Sequence, residues 1–321
     1  MAKLSCSYLV SGIRNLACMD IRQSKQYARY MQLLNWNVER VGSFQAYIKS
    51  FPFIGSFIKI QRIGNPIPWR AIQRLGEKHH AFRTIIEFDK SESAQTGCNG
   101  NSKQKEPRLA PPSNFRRLNT PFSPTKTIYI DLTPRLNTIL VNFRPTARHA
   151  IRKAEKNGVH TEFSDNIETF IKLKSKNPID RLLLRNEVRS IWKAFYPTGA
   201  CIVFALPPAT DHVPTLDKRR NQTRYQQSTT DPVAGVLLLF HENTAHYWLA
   251  ASTKKGNSLY APSLVVWEAV KRAKQRKCRA FDFEGVCDPR FEKETRSWKG
   301  FTRFKKGFGG NEVLYPEPVY F

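Results

Sequence analysis

Ala245 to Gly285 reads AHYWLAASTKKGNSLYAPSLVVWEAVKRAKQRKCRAFDFEG, and this stretch decides the fold. His246 to Ala251 is aromatic and apolar, as a strand requires, and Lys254 to Asn257 supplies a turn. From Ala261 to Lys277 the apolar residues Leu264, Val265, Trp267, Ala269, Val270 and Ala273 recur at helical spacing, and Ala280 to Phe283 predicts a second, short strand. Pro262 falls in the first helical turn, where a missing N–H costs nothing, and Lys and Arg suit the carbonyl end. A strand–helix–strand unit favours a right-handed crossover and leaves a cleft where its loops meet. Further on, Trp298 to Phe321 reads WKGFTRFKKGFGGNEVLYPEPVYF and sets Lys305 between Phe304 and a glycine-rich turn, Gly307 to Gly310.

Working outward, Ser24 to Val41 predicts an amphipathic helix with Tyr27, Tyr30, Met31, Leu34, Val38 and Val41 on one side. Phe57 to Ile63 and Thr84 to Phe88 predict strands, as does Thr127 to Leu132. Helices are expected at Thr138 to Asn157, Ile167 to Lys174 and Pro178 to Phe195. A strand follows at Cys201 to Leu206, and the apolar run Val233 to Phe240 should pair with His246 to Ala251. Lys90 to Thr125 and Pro207 to Asp231, rich in Ser, Asn, Pro and basic residues, read as flexible loops. The architecture expected is α+β, with mixed sheets in two domains.

The 321 residues exceed the usual single-domain length, and 40% apolar with 12% aromatic residues can build packed cores. Lys and Arg number 52 against 26 acidic residues, so long-range attraction to nucleic acid or an anionic membrane face is expected. Cys6, Cys18, Cys98, Cys201, Cys278 and Cys287 are scattered, with no CxxC pair, so neither a disulfide framework nor a zinc-ligand spacing is visible. That usage points to a reducing cytoplasm. The opening MAKLSCSYLVSGIRNLACMDIR is too short and interrupted for a membrane span and reads as a first strand and helix. GxSxG, HExxH, Walker and GxGxxG patterns are absent, as is the acetyl-CoA pyrophosphate loop R/Q-x-x-G-x-G/A.

Several cations and acids invite chemistry. Asp282 and Glu284 flank Phe283 at a strand end and should share a face, as a base, as an anchor for an ammonium, or simply as partners of nearby basic residues. Arg144, Arg148, Arg152, Lys153 and Lys156 form a basic stripe at roughly helical spacing that suits an RNA backbone. Arg181, Arg185 and Arg189 follow on a second helix, where phosphate binding and a solvated face explain them equally well. Read alone, Lys305 would pass for a surface lysine before a hairpin.

The segments GNSLYAPSLVVWEAVKRA, DFEG and above all GFTRFKKGFGG with its closing apolar strand resemble the FemABX family of non-ribosomal peptidyltransferases. FRPTARHAIRKAEKNGV (Phe143 to Val159) and YMQLLNWNVERVG (Tyr30 to Gly42) are similar to the helix opening that family's second domain and to the helix around its first-domain tryptophan. The resemblance implies two domains related to the GNAT acetyltransferases: 1–132 (with 90–125 a flexible loop), 133–303, and a segment 304–321 returning to the first domain. It looks like the short members that lack a coiled-coil arm.

The resemblance also implies an aminoacyltransferase that moves an amino acid from aminoacyl-tRNA to the stem-peptide amine of a peptidoglycan precursor, UDP- or lipid-linked. Such an enzyme needs no cofactor or metal. The chain would act in the cytoplasm, as a monomer, with peripheral contact at the inner membrane face open to it. Lys305 becomes the cation expected to neutralise the oxyanion, Tyr260 a hydrogen-bond donor to substrate, and Asp282 or Glu284 a base. Arg40, following Trp36 by one helical turn, and Arg181, Arg185 or Arg189 are the expected acceptor-phosphate ligands, while Arg148, Arg152, Lys153 and Lys156 would meet tRNA. Two other classes stay open: a non-catalytic RNA-binding protein on the same scaffold, and an N-acyltransferase using another acyl donor.

Overall fold

The computed structural model describes residues 19–90, 112–175, 178–208, 215–217, 222–224 and 231–321. The expected first strand and helix, and the middle of the 90–125 loop, lie outside the described residues. The strands in the first half are β1 (Asn37–Val41), β2 (Phe44–Phe51), β3 (Gly55–Ile63), β4 (Ala81–Phe88) and β5 (Arg116–Arg117). Then come β6 (Lys126–Asp131), β7 (His160–Ser164), β8 (Ala200–Leu206) and a small hairpin, β9 (Thr215–Asp217) and β10 (Gln222–Arg224). β11 (Ala234–His241), β12 (Thr244–Ser252), β13 (Ala280–Asp282), β14 (Asn311–Leu314) and β15 (Val319–Tyr320) complete the set. The helices are α1 (Lys25–Leu33), α2 (Trp69–Lys78), α3 (Leu136–Val141), α4 (Pro145–Lys156), α5 (Ile167–Lys174), α6 (Pro178–Phe195), α7 (Lys254–Ser258), α8 (Ala261–Gln275), α9 (Glu292–Thr295) and α10 (Lys299–Lys306).

Two mixed sheets result. One has the order β1-β2-β3-β4-β15-β5 and the other β14-β6-β13-β12-β11-β8-β7. Each contains one parallel pair bridged by a helix: β3 and β4 through α2, and β12 and β13 through α8. A helical crossover is what a parallel neighbour requires, so each half repeats one strand–helix–strand motif. β11 and β12 pair antiparallel, as the sequence predicts. The final strand β15 leaves the second sheet to lie between β4 and β5 of the first. Leu264, Val265, Trp267, Val270 and Ala273 of α8 pack on Phe281, Phe283 and Phe308 in the core of the second half. A second cluster stitches the halves together, with Tyr27, Tyr30, Met31 and Tyr47 against Phe170, Val188, Trp192, Phe195 and Phe204. Burying such side chains contributes roughly 1.5–3 kcal/mol each, so the halves are held by apolar packing.

Three expected elements differ. The helix drawn from Ser24 to Val41 begins as foreseen, with the Ser24 hydroxyl accepting from the Tyr27 N–H at 3.0 Å, but it ends at Leu33. Asn35 adopts a left-handed conformation (φ 60°), a common helix stop, and the alternating NVERV becomes β1 paired with β2. The helix drawn from Thr138 to Asn157 is two helices, because Pro145 cannot continue α3 and instead starts α4. Within the loop drawn from Pro207 to Asp231, the described residues pair as the β9–β10 hairpin.

Candidate functional site

The end of the β12–α8–β13 unit opens on a cleft of about 870 Å³ lined by Tyr247, Trp248, Tyr260, Trp298, Phe301, Phe304, Glu284 and Lys305 among others. Lys305 sits in the last turn of α10, 8% exposed, with its ammonium 4.8 Å from the Phe301 ring centroid. Its Nζ donates to the carbonyls of Phe283 and Gly285, both at 2.7 Å. The bend that presents both carbonyls runs through left-handed backbone at Glu284 (φ 52°) and Gly285 (φ 100°). A side chain on Gly285 would press on Pro124 at 3.0 Å, so the DFEG glycine is a local necessity. Burial lowers the Lys305 pKa to about 8, against the raising influence of Asp282 and Glu284. An ammonium has three N–H donors, and two carbonyl bonds leave one for a ligand in the cleft.

The glycine turn after α10 serves the packing of the chain on itself. A Cβ on Gly309 would meet the Asn142 carbonyl at 2.8 Å, and one on Gly310 the Tyr129 carbonyl at 2.5 Å. These glycines let the chain cross its own backbone rather than admit a substrate. Phe308, between them and α10, is buried against Phe143 and Phe304 and fixes the helix that carries Lys305.

Asp282 and Glu284 do share a site, but inside a buried charge network. Glu284 accepts from Arg22 Nη2 at 2.6 Å and from His246 Nδ1 at 2.7 Å, and its side chain is 6% exposed. Asp282 accepts from the Thr127 hydroxyl at 2.5 Å and from the Glu284 N–H at 2.9 Å. Desolvation opposes the charge on Glu284, yet Arg22 and His246 together hold its carboxyl well below the usual carboxylate range. Burial and the neighbouring carboxylate push Asp282 upward. His246, although desolvated, is raised by its bond to Glu284. His246, Asp282 and Glu284 could offer three ligand atoms within 4.8 Å of one another, yet the Arg22 guanidinium already supplies a cation to Glu284. Glu284 lines the cleft, whereas Asp282 stands behind it.

Tyr260 caps α8 in a left-handed conformation (φ 60°) and lines the cleft. The Lys153 ammonium lies 5.1 Å over its ring, so the basic stripe of α4 reaches the cleft rim. Arg152, Lys153 and Lys156 are exposed, and Arg148 donates to the Val141 carbonyl at 3.3 Å. The arginines expected to hold an acceptor lie elsewhere. Arg40 is on strand β1, not one helical turn after Trp36, and donates to the Ser43 carbonyl at 3.0 Å. Arg185 and Arg189 pair with Glu168 on an exposed helix face, at 3.7 and 2.5 Å. The side chain of Arg181 lies outside the described residues. The cation beside Trp36 is Lys59, 4.3 Å over its ring, with a pKa lowered by burial.

The residues missed by sequence reasoning are Arg22, His246, Trp248 and Lys59. A histidine inside the aromatic run AHYWLA was a visible anomaly. Arg22 carried no such mark, since Glu284 lies 262 positions away.

The FemAB family model matches residues 209–315. No curated protein matches the sequence. Among solved structures, FemX shares 14% identity with a TM-score of 0.67, covering 99% of this chain and 96% of its own. The C-terminal domain of a candidate lysylphosphatidylglycerol synthetase from Agrobacterium fabrum shares 13% identity with a TM-score of 0.56, covering 94% of this chain and 89% of its own. A conserved protein of unknown function from Bacteroides thetaiotaomicron, at 10% identity and a TM-score of 0.55, covers 94% of this chain and 92% of its own. The FemAB model thus covers the C-terminal part of the chain, and the likeness to the FemX fold runs along nearly all of it.

Proposed function

We propose that the protein is an aminoacyltransferase that moves an amino acid from aminoacyl-tRNA to the stem-peptide amine of a peptidoglycan precursor. The family match supports aminoacyl transfer to a cell-wall or lipid acceptor as a class. The observation that carries the reading is Lys305: a desolvated ammonium, bonded to two carbonyls, on the wall of an aromatic cleft.

In the reaction, the neutral acceptor amine attacks the ester carbonyl carbon and a C–N bond forms. The carbonyl oxygen becomes an oxyanion, which the remaining Lys305 N–H and its charge neutralise. The C–O bond to the tRNA ribose then breaks, and the proton leaving the nitrogen balances the one gained by the ribose oxygen. The ester stores the driving force, so no covalent enzyme intermediate is needed. A preorganised cation in a water-poor cleft contributes about 3–4 kcal/mol to such a step. Glu284, kept ionised by Arg22 and His246, suits an ammonium anchor at the cleft wall better than it suits a base, and Asp282 acts through it.

The tRNA would lie on α4, with Arg148, Arg152, Lys153 and Lys156 against phosphates and Lys153 leading to Tyr260 at the rim. Lys59 beside Trp36 fits the acceptor cation assigned by resemblance to Arg40. A chain using charged tRNA and wall precursors works in the cytoplasm. Among the described residues no helix is long and apolar enough to cross a membrane. The test supplies labelled aminoacyl-tRNAs with a UDP-muropeptide, its lipid-linked form, or phosphatidylglycerol. Label in a muropeptide supports the proposal. Label in phosphatidylglycerol alone reassigns the acceptor, and failure with every charged tRNA overturns aminoacyl transfer.

A further inference from the structure

The hairpin joining β2 to β3 ends in Phe51-Pro52-Phe53-Ile54-Gly55, and its apolar side chains face water. Phe53 is 108% exposed, Ile54 68% and Phe51 41%. Phe82 and Phe122, also exposed, extend the patch across the sheet through Phe57, with ring centroids 5.6 to 6.1 Å apart. A contiguous aromatic patch of this kind marks an interaction surface, because a monomer gains nothing by exposing it. The backbone at Phe53 adds a second observation. Its φ of 65° is left-handed, where glycine or asparagine would hold the turn at lower cost. The turn therefore does not account for an aromatic side chain at its tip.

Basic residues border the patch. The Lys59 ammonium is 5.7 Å from the Phe122 ring. Lys49 stands opposite Phe57 in the β2–β3 register, with its ammonium donating to the Leu34 and Asn35 carbonyls at 3.3 and 2.9 Å. The turn after α2, carrying Lys78, His79 and His80, abuts the tip through the Ser56 N–H, which donates to the His80 carbonyl at 3.2 Å. The acid beside this turn, Glu39, is held by Lys78 at 2.8 Å and His79 at 2.7 Å. Aromatic side chains settle at the boundary between acyl chains and headgroups, and cations nearby meet lipid phosphates. A protruding apolar tip bordered by basic residues matches a deformable anionic surface; a protein partner would have to offer a preformed pocket for it.

We propose that the β2–β3 hairpin tip, with Phe82 and Phe122, inserts into the surface of an anionic phospholipid bilayer and docks the protein there. The net charge of +26 favours the same surface at long range. The proposal concerns the first half of the molecule and stands whether or not the second half transfers aminoacyl groups.

The experiment sediments the full chain with phosphatidylcholine vesicles, with or without about a third phosphatidylglycerol. The wild type should pellet with the anionic vesicles, more weakly at high salt, and far less with phosphatidylcholine alone. The double variant Phe53→Ser/Ile54→Ser should lower that partition roughly tenfold or more with an unchanged melting temperature. Phe53→Trp should show a blue-shifted emission that appears only with anionic vesicles. Equal pelleting of wild type and double variant, equal binding to both vesicle types, or a dimer that the double variant dissolves without altering vesicle binding would each overturn the proposal.

Discussion

Two groups of cations in this molecule look alike in the sequence and behave differently in space. Lys305 is enclosed by Phe301, Tyr247 and the bend at Phe283–Gly285, and burial brings its pKa down to about 8. The stripe on α4 is spread over an exposed helix face whose buried side is Ala147, Ile151 and Ala154. The difference lies in desolvation. A cation stripped of water interacts strongly with charge that develops at one atom, whereas cations in water attract a polyanion diffusely and are screened by salt. Placement, more than the number of basic residues, sets how strongly a cation meets a localised charge.

The sharpest way to break this contrast is Lys305→Met. Transfer should fall roughly a thousandfold in kcat, in line with the loss of one oxyanion partner. The melting temperature should move by only a few degrees at most. Folded Lys305 binds its proton less tightly than an unfolded lysine, so its burial opposes folding below about pH 8 and stops doing so above the ordinary value of 10.5. Methionine removes that opposition and leaves two carbonyls unpartnered, and the two effects offset. A collapse in stability matching the loss of activity would make Lys305 structural.

The pH profile tests the same group without mutation. The ammonium is present below its pKa, so wild-type transfer should decline as pH rises through about 8, after an ascending limb set by the acceptor amine. A rate still climbing above that point would assign the oxyanion to another partner.

Glu284→Gln should act on stability more than on the rate. It leaves the Arg22 and His246 charges without their shared carboxylate, at a cost of about 2–3 kcal/mol in urea unfolding. Because the Glu284 pKa is depressed on folding, its contribution is present above the ordinary carboxylate range and fades in acid, so the gap between variant and wild type should close as pH falls. The smallest effect is expected on the stripe. Arg152→Glu with Lys156→Glu should weaken tRNA binding about tenfold and make its salt dependence shallower, with an unchanged melting temperature. A loss of stability there would contradict a solvated face.

Much of the second half was legible because its sequence states local rules without conflict. Pro262 starts α8, the apolar residues behind it recur at helical spacing, and Val233 to Phe240 reads as a buried strand beside AHYWLA. Around Trp36 the sequence misled, since helical and alternating periods both fit Tyr30 to Val41. The left-handed Asn35 decided between them, and with it Arg40 moved from a helix face to a strand edge. The glycines after Lys305 were readable as a turn, but their partners, the carbonyls of Asn142 and Tyr129, come from other elements.

The sequence by itself determined the β12–α8–β13 unit and the pairing of β11 with β12, because each rests on neighbours within a few tens of residues. Only the tertiary structure decided that Arg22 joins His246 and Glu284, that Lys59 stands beside Trp36, and that the phenylalanines of the β2–β3 hairpin remain in water. Those outcomes depend on which surfaces lose their solvent when distant segments pack, a property that periodicity and composition do not encode.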